Sequence, residues 1–344
     1  MQKLFNRAAA LVLTLSLCAS MLGACTQKAP QETTASTAAP ETTAQNVTES
    51  TVPETTEAAD TMVGRTRVPT QEEALAEMGL DKVPEKILCA TYNTMILANE
   101  LGVELSGRVT TRRPLPENLV DVPDIGVVRG SSNFDFEKVI ALAGDLVLSD
   151  VFYTEKLKPT LDEQGIKSYY VDTADYDDMR DTVALLGAAF GKRDQAIEML
   201  TQWDAEVEQM QKAIEGKPSP VVLVLRKATN MATSNSYVGS LLKELNITCA
   251  TDLMGFPADV DGYVPIDVEK ILEVNPDYIL IPGGEELEGD IAFMEEVKTS
   301  PAWASLDAVK EGRVFAVTDT YYQPIADTDC IKAMHELVSV VYPE

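Results

Sequence analysis

The sequence predicts an α/β protein of two lobes bridged by a single long α-helix. Two observations predict it: an unbroken amphipathic segment near the middle of the chain, and one strand–helix pattern that occurs on both sides of it. Residues 195–215 contain neither Gly nor Pro. Their apolar positions, Ala196, Met199, Leu200, Trp203, Val207, Met210 and Ile214, recur every three or four residues and form one helical stripe. Asp194 can cap the start, and Gly216 with Pro218 stops the helix. At 1.5 Å per residue such a helix is about 30 Å long, the width of a small domain.

The flanking pattern reads Asp135-Phe136-Glu137-Lys138-Val139-Ile140, then Leu142, then Gly144-Asp145-Leu146-Val147-Leu148. Its second copy reads Asp267-Val268-Glu269-Lys270-Ile271-Leu272, then Val274, then Pro276-Asp277-Tyr278-Ile279-Leu280. Every paired position keeps the offset between Asp135 and Asp267. Each copy is a short helix, a tight turn and a buried strand. Identity at the Asp, Glu-Lys, Asp and Leu positions exceeds what helix–strand patterning requires, so the two copies read as lobes of one architecture.

The N-terminus is a targeting segment. Lys3 and Arg7 precede an apolar run over residues 8–22, and Leu22-Gly23-Ala24-Cys25 follows. A basic end, a short apolar core and small residues before a cut form a secretory signal. A cysteine directly after Leu-Gly-Ala resembles the lipobox of bacterial lipoproteins, with Cys25 as the lipidated first residue. The run is short for a retained membrane span. Residues 26–68 are rich in Thr, Ala, Glu and Pro with almost no large apolar residue, which predicts a disordered tether. The expected organisation is a signal peptide over 1–24, a tether over 25–69, a first α/β lobe over 70–191, the connecting helix over 192–216 and a second α/β lobe over 217–344.

In the first lobe, residues 87–90 form a buried strand and residues 91–94 the turn after it. Ligands of α/β sheets sit beyond the carboxyl ends of strands, so Tyr92 and Asn93 are either pocket residues or a packed ring and a helix cap. Residues 127–133 pass from a strand into a Gly/Ser-rich loop carrying Arg129, placed to hold an anionic group or to form a surface salt bridge; Arg112-Arg113-Pro114 lies in a loop, where Arg112 suits the surface role. Residues 187–192 look faintly like a phosphate loop but lack the Ser/Thr and follow a helix, which excludes that reading. In the second lobe, the strand over residues 221–225 ends in Arg226-Lys227, again either solvated charge or an anion contact. Residues 236–239 open a helix, and loops carry Tyr263 and Tyr322. Cys89, Cys249 and Cys330 are far apart with no CxxC pair, so three buried thiols are expected, without disulfides or a zinc site.

The net charge of −27 argues against nucleic acid and anionic membrane surfaces as partners. An enzyme is disfavoured by the absence of G-x-S-x-G, a dinucleotide fingerprint or a zinc motif, and by a single His. A surface-anchored enzyme and a ligand-free structural lipoprotein are the alternatives of a different class. Turnover that survives loss of both Arg129 and Arg226 would favour the first; failure of every iron complex to bind would favour the second.

At these residues the chain resembles the substrate-binding lipoproteins of iron-siderophore, haem and cobalamin ABC importers. Those are class III periplasmic binding proteins with two Rossmann-like lobes on one helix. The similarity lies in residues 135–148, 176–191, 236–241 and 267–280, and most closely in Ser300-Pro301-Ala302-Trp303-Ala304-Ser305-Leu306 running on to Gly312-Arg313-Val314. It spans residue 86 to the C-terminus. The resemblance implies a monomeric, non-enzymatic, extracytoplasmic protein, lipid-anchored to the bacterial cell membrane. It would hold its ligand between the lobes and dock on an ABC permease driven by its ATPase. Glu155 in the first lobe and Glu286 in the second are the docking residues it implies. Residues 232–245 resemble haem binders in particular. Those use a Met in the loop matching residues 130–133 and a His after the strand matching residues 278–281, and both are absent here. A ferric siderophore is therefore the expected ligand, ahead of haem and a cobamide, with no covalent cofactor. Arg129 and Arg226 would meet its anionic oxygens; Tyr92, Asn93, Tyr237, Tyr263 and Tyr322 would line the site. A tyrosine could still ligate ferric haem. Bare zinc or manganese would want several histidines.

Overall fold

A computed structural model describes residues 61–111, 113–126, 134–257, 260, 262–284, 287–323 and 326–343. The chain opens with a hairpin, β1 (Thr61–Val63) and β2 (Thr66–Val68), followed by helix α1 (Gln71–Glu77). The first lobe then runs β3 (Ile87–Cys89), α2 (Tyr92–Glu100), β4 (Leu105–Arg108), α3 (Phe136–Leu142), β5 (Leu146–Asp150), α4 (Thr154–Glu163), β6 (Ser168–Val171) and α5 (Tyr176–Ala189). The bridging helix is α6 (Arg193–Ile214). The second lobe runs β7 (Val221–Arg226), β8 (Asn230–Ala232), α7 (Tyr237–Glu244), β9 (Thr248–Cys249), β10 (Tyr263–Pro265), α8 (Val268–Val274), β11 (Tyr278–Pro282), α9 (Glu288–Thr299), α10 (Asp307–Lys310), β12 (Val314–Val317) and α11 (Cys330–Val341).

The first sheet is parallel throughout, in the order β4-β3-β5-β6. The second has a parallel core in the matching order β9-β7-β11-β12, with β8 folding back antiparallel on β7 and β10 pairing with β8. The repeat seen in the sequence has a mechanical basis. Asp135 caps α3 by accepting from the Lys138 N–H, and Asp267 caps α8 by accepting from the Lys270 N–H. The second aspartate of each copy ties down the start of the neighbouring strand. Asp145 accepts from the N–H groups of Glu85 and Lys86 at 2.9 and 3.0 Å, and Asp277 accepts from that of Val221 at 2.8 Å.

Helix α6 buries the expected stripe of Ala196, Leu200, Trp203, Val207, Met210 and Ile214, with Met199 half-buried. It meets α5 so closely that a Cβ on Gly187 would lie 2.3 Å from the Ala196 Cβ. Strand β7 alternates between two cores. Val222 and Val224 join one apolar cluster continuous with the first lobe and α6, while Leu223 and Leu225 face a second cluster built on α8, α9 and Trp303. The two lobes therefore share a core through α6. Cys89, Cys249 and Cys330 are buried free thiols, as the sequence predicts.

The expected tether boundary at residue 69 is corrected by the hairpin. Residues 61–68 pack against α5 and α6, with Val68 fully buried. Arginines from elsewhere hold this polar-looking strip. Arg180, also fully buried, donates to the Val63 carbonyl, Thr66 Oγ1 and both oxygens of Asp204. Arg193 donates to the Pro69 and Val68 carbonyls and to Thr61 Oγ1. Arg65 reaches Asp177 on α5 and Glu244 on α7. The signal peptide, the rest of the tether and Cys25 lie outside the described residues. No helix among the described residues is long and apolar enough to cross a membrane.

Candidate functional site

The carboxyl ends of both sheets converge on the segment that links β12 to α11. From the first lobe, the Asn93 side chain donates to the Ala326 carbonyl at 3.3 Å, and Thr173, just after β6, exchanges hydrogen bonds with Ala326 through its hydroxyl and carbonyl. Arg113 lies 3.8 Å from the Asp327 carboxylate, and its guanidinium stacks over the Tyr92 ring at 4.3 Å. From the second lobe, Arg226 at the end of β7 donates to the Tyr322 carbonyl and to Gln323 Oε1, and lies 3.9 Å from Asp319. Tyr92 and Asn93 thus occupy the junction between lobes, where the strand-end argument puts them.

Other expected residues are placed differently. Arg226 is buried and neutralised by Asp319, so it organises the Tyr322–Gln323 loop and is not a free anion contact. Tyr322 is 1% exposed and its hydroxyl donates to the Ala333 carbonyl, which makes it a core residue. Tyr237, at the first turn of α7, is equally buried, with its hydroxyl unpartnered. It starts the helix because Ser236 caps Gly239, and a Cβ on Gly239 would fall 2.0 Å from the Thr233 carbonyl oxygen. Tyr263 on β10 is half-buried and its hydroxyl also has no partner. His335 is exposed on α11, 2.9 Å from Glu206, and takes no part in this region. Arg129 and Glu286 lie outside the described residues.

Sequence reading missed two buried acids and Arg113. Asp150 ends β5 at the carboxyl edge, is 4% exposed, and its Oδ1 has no partner. Burial pushes its carboxyl up to about 7. Asp327 is likewise pushed up to about 7, by burial first and by Asp329 second. Nothing in the sequence separates these two from the chain's many surface carboxylates; only the end of a fully buried strand marks Asp150. Arg113 precedes Pro114, which favours an extended backbone there, and its N–H is held by Thr111 Oγ1 at 3.0 Å. Among the described residues no three His, Cys, Asp or Glu side chains are grouped to hold a bare metal ion.

The surface beside the junction carries exposed apolar groups. Val151 and Phe152 form a 3₁₀ turn between β5 and α4, Phe152 being 66% exposed, and Glu155 is exposed one turn further on. Leu287 and Ile291 are exposed at the start of α9, which follows β11 as α4 follows β5.

Residues 88–321 match the periplasmic binding protein family. The high-affinity heme uptake system protein IsdE of Staphylococcus aureus strain Newman is 27% identical over 267 residues, covering 75% of this chain and 88% of that protein. The crystal structure of S. aureus IsdE complexed with heme superposes with a TM-score of 0.64 at 26% identity, covering 75% of this chain and 98% of that one. An ABC transporter substrate-binding protein from Listeria monocytogenes EGD-e gives a TM-score of 0.66 at 24% identity, over 76% of this chain and all of that one. S. aureus SirA complexed with staphyloferrin B gives 0.62 at 22%, over 76% and 94%. The last two likenesses show the fold.

Proposed function

This chain belongs to the periplasmic binding protein family, and from that premise we propose that it is the extracytoplasmic, lipid-anchored solute-binding component of an ABC importer for an iron complex. The observation that carries this reading is the convergence of both sheet edges on residues 326–327, bracketed by Tyr92, Asn93 and Arg113 on one side and the Arg226-held loop on the other. A ligand seated there touches both lobes at once, which is what capture between lobes requires. A ferric siderophore is the first ligand, recognised through its anionic periphery; the similarly folded S. aureus SirA is complexed with staphyloferrin B. Haem is the second, favoured by the IsdE relatives. Of the tyrosines expected at the site, Tyr263 is the one to ligate ferric haem: it is half-buried with an unpartnered hydroxyl, whereas the Tyr322 hydroxyl is engaged and Tyr237 is fully buried.

Thermal-shift screening of the purified chain from residue 61 against ferric carboxylate, catecholate and hydroxamate siderophores, haemin and cobamides tests the reading. Stabilisation by a siderophore class supports the first ligand; stabilisation by haemin with a new Soret band supports the second. A flat response to the whole panel refutes both. The core shared through α6 restrains the lobes, so ligand should lower the radius of gyration in solution scattering only slightly. Glu155 and the exposed Phe152 beside it form the first-lobe contact for the permease, with Glu286 its partner in the second lobe. Glu155→Arg should abolish uptake in cells while leaving ligand binding intact.

A further inference from the structure

We infer that Arg113 is the residue that grips a carboxylate of the bound ligand, held in plane by Tyr92 of its own lobe, with Asp327 of the other lobe as the resting counter-charge that the ligand replaces. This rests on the proposed capture of an iron complex and names the chemical group by which the complex is recognised. The Arg113 side chain is 17% exposed, yet its guanidinium donates no hydrogen bond among the described residues. The nearest carboxylate oxygen, on Asp327, is 3.8 Å away, beyond hydrogen-bond reach. Every other guanidinium among the described residues donates at least one hydrogen bond. None of its nitrogens is buried without a partner, so the five donors of the fork keep contact with solvent and stand available to an incoming acceptor.

The geometry selects a carboxylate. Stacking on Tyr92 at 4.3 Å fixes the plane of the guanidinium and leaves its edge free, and that edge matches the two oxygens of a carboxylate. The position is shared by both lobes, since Tyr92 opens α2 at the end of β3 and Asp327 follows the last strand of the second sheet. Arg226, the other described arginine at a strand end, already donates to the Tyr322 carbonyl and to Gln323 Oε1. Asp327 sets the resting position of Arg113 without consuming its donors, so an incoming carboxylate displaces no hydrogen bond.

The test is equilibrium titration of the full chain, followed by tryptophan fluorescence, with haemin, haemin dimethyl ester, a ferric carboxylate siderophore and a ferric tris-catecholate free of carboxylates. The expected result is binding of a carboxylate-bearing probe that weakens about 10- to 100-fold in Arg113→Gln. Arg113→Lys, which keeps the charge but loses the fork, should weaken it several-fold less. Asp327→Asn, which removes the competing charge, should bind at least as tightly as the wild type, an outcome that a merely structural role for the pair would not produce. If haemin is the ligand, its dimethyl ester should lose affinity in the wild type and be indifferent to Arg113→Gln; if the siderophore is, the same contrast appears against the tris-catecholate. Unaltered affinity for the carboxylate probe in a folded Arg113→Gln or Arg113→Lys overturns the inference while the capture reading stands. Wild-type binding of the carboxylate-free probes alone does the same. Binding of none of the four overturns the inference together with the reading it rests on.

Discussion

Asp150→Asn should stabilise this protein at alkaline pH and not at acid pH. The Asp150 carboxyl is 4% exposed, ends a fully buried strand and leaves Oδ1 without a partner. Burial raises its pKa from an ordinary 3.8 to about 7. The folded state therefore holds the proton more tightly than the unfolded chain does. The sign follows from linkage: below about pH 4 both states are protonated and Asp150 costs nothing. As pH rises towards 7 the unfolded chain ionises first and the folded state falls behind. Above 7 the penalty is complete, and the gap between the two pKa values bounds it at about 4 kcal/mol. Asparagine has the same shape and never ionises. The stability difference between variant and wild type, from urea denaturation, should be near zero at about pH 3 and about 2 to 4 kcal/mol in favour of the variant at about pH 8. Other carboxylates, such as Asp327 with its raised pKa and Asp145 with its lowered one, are common to both proteins and cancel. An equal difference at the two pH values would refute the reasoning, because it would mean that Asp150 titrates like a solvated carboxyl.

Arg180→Met should cost about 3 kcal/mol in chemical denaturation, since it leaves the Val63 carbonyl and Asp204 without their buried donor, and hydrogen exchange at residues 61–68 should lose its protection first. The loss stays near that figure because Asp204 is a third exposed and can rehydrate. Gly239→Ala should cost more than about 2 kcal/mol in the same assay, because its Cβ would lie 2.0 Å from a backbone oxygen that cannot move aside. Ala228→Gly should raise stability by about 1 kcal/mol, because Ala228 at φ 54° follows Lys227 at φ 52°, two successive left-handed residues that are not glycine. Ser236→Ala should cost about 1 kcal/mol through loss of the α7 cap.

The sequence alone determined the architecture, because the features that specify it are local and periodic. The stripe on α6 is written at helical spacing, and the two Asp-x-Glu-Lys copies carry their own caps and strand ties in Asp135, Asp145, Asp267 and Asp277. The position of Tyr92 and Asn93 at the carboxyl end of a strand was legible for the same reason, since a residue after a buried strand has one place to go in a parallel sheet. Only tertiary structure decided which charged and aromatic groups are free. Arg226 and Arg113 both lie at or after the carboxyl end of a strand, but the first donates to a backbone carbonyl and to Gln323, while the second is left with a ring beneath it and no hydrogen-bond acceptor for its guanidinium among the described residues. Both Tyr322 and Tyr263 read as loop residues in the sequence, yet the Ala333 carbonyl on a helix eleven residues later takes up the hydroxyl of Tyr322, and no described residue takes up that of Tyr263, which lies on β10. Residues 61–68 read as tether because they are short, polar and rich in Thr and Arg. They fold because Arg180 and Arg193, more than a hundred residues away, supply the hydrogen bonds that their own composition lacks. Partnership between distant polar groups has no period in the sequence, and it is this partnership that separates a scaffold residue from a binding one.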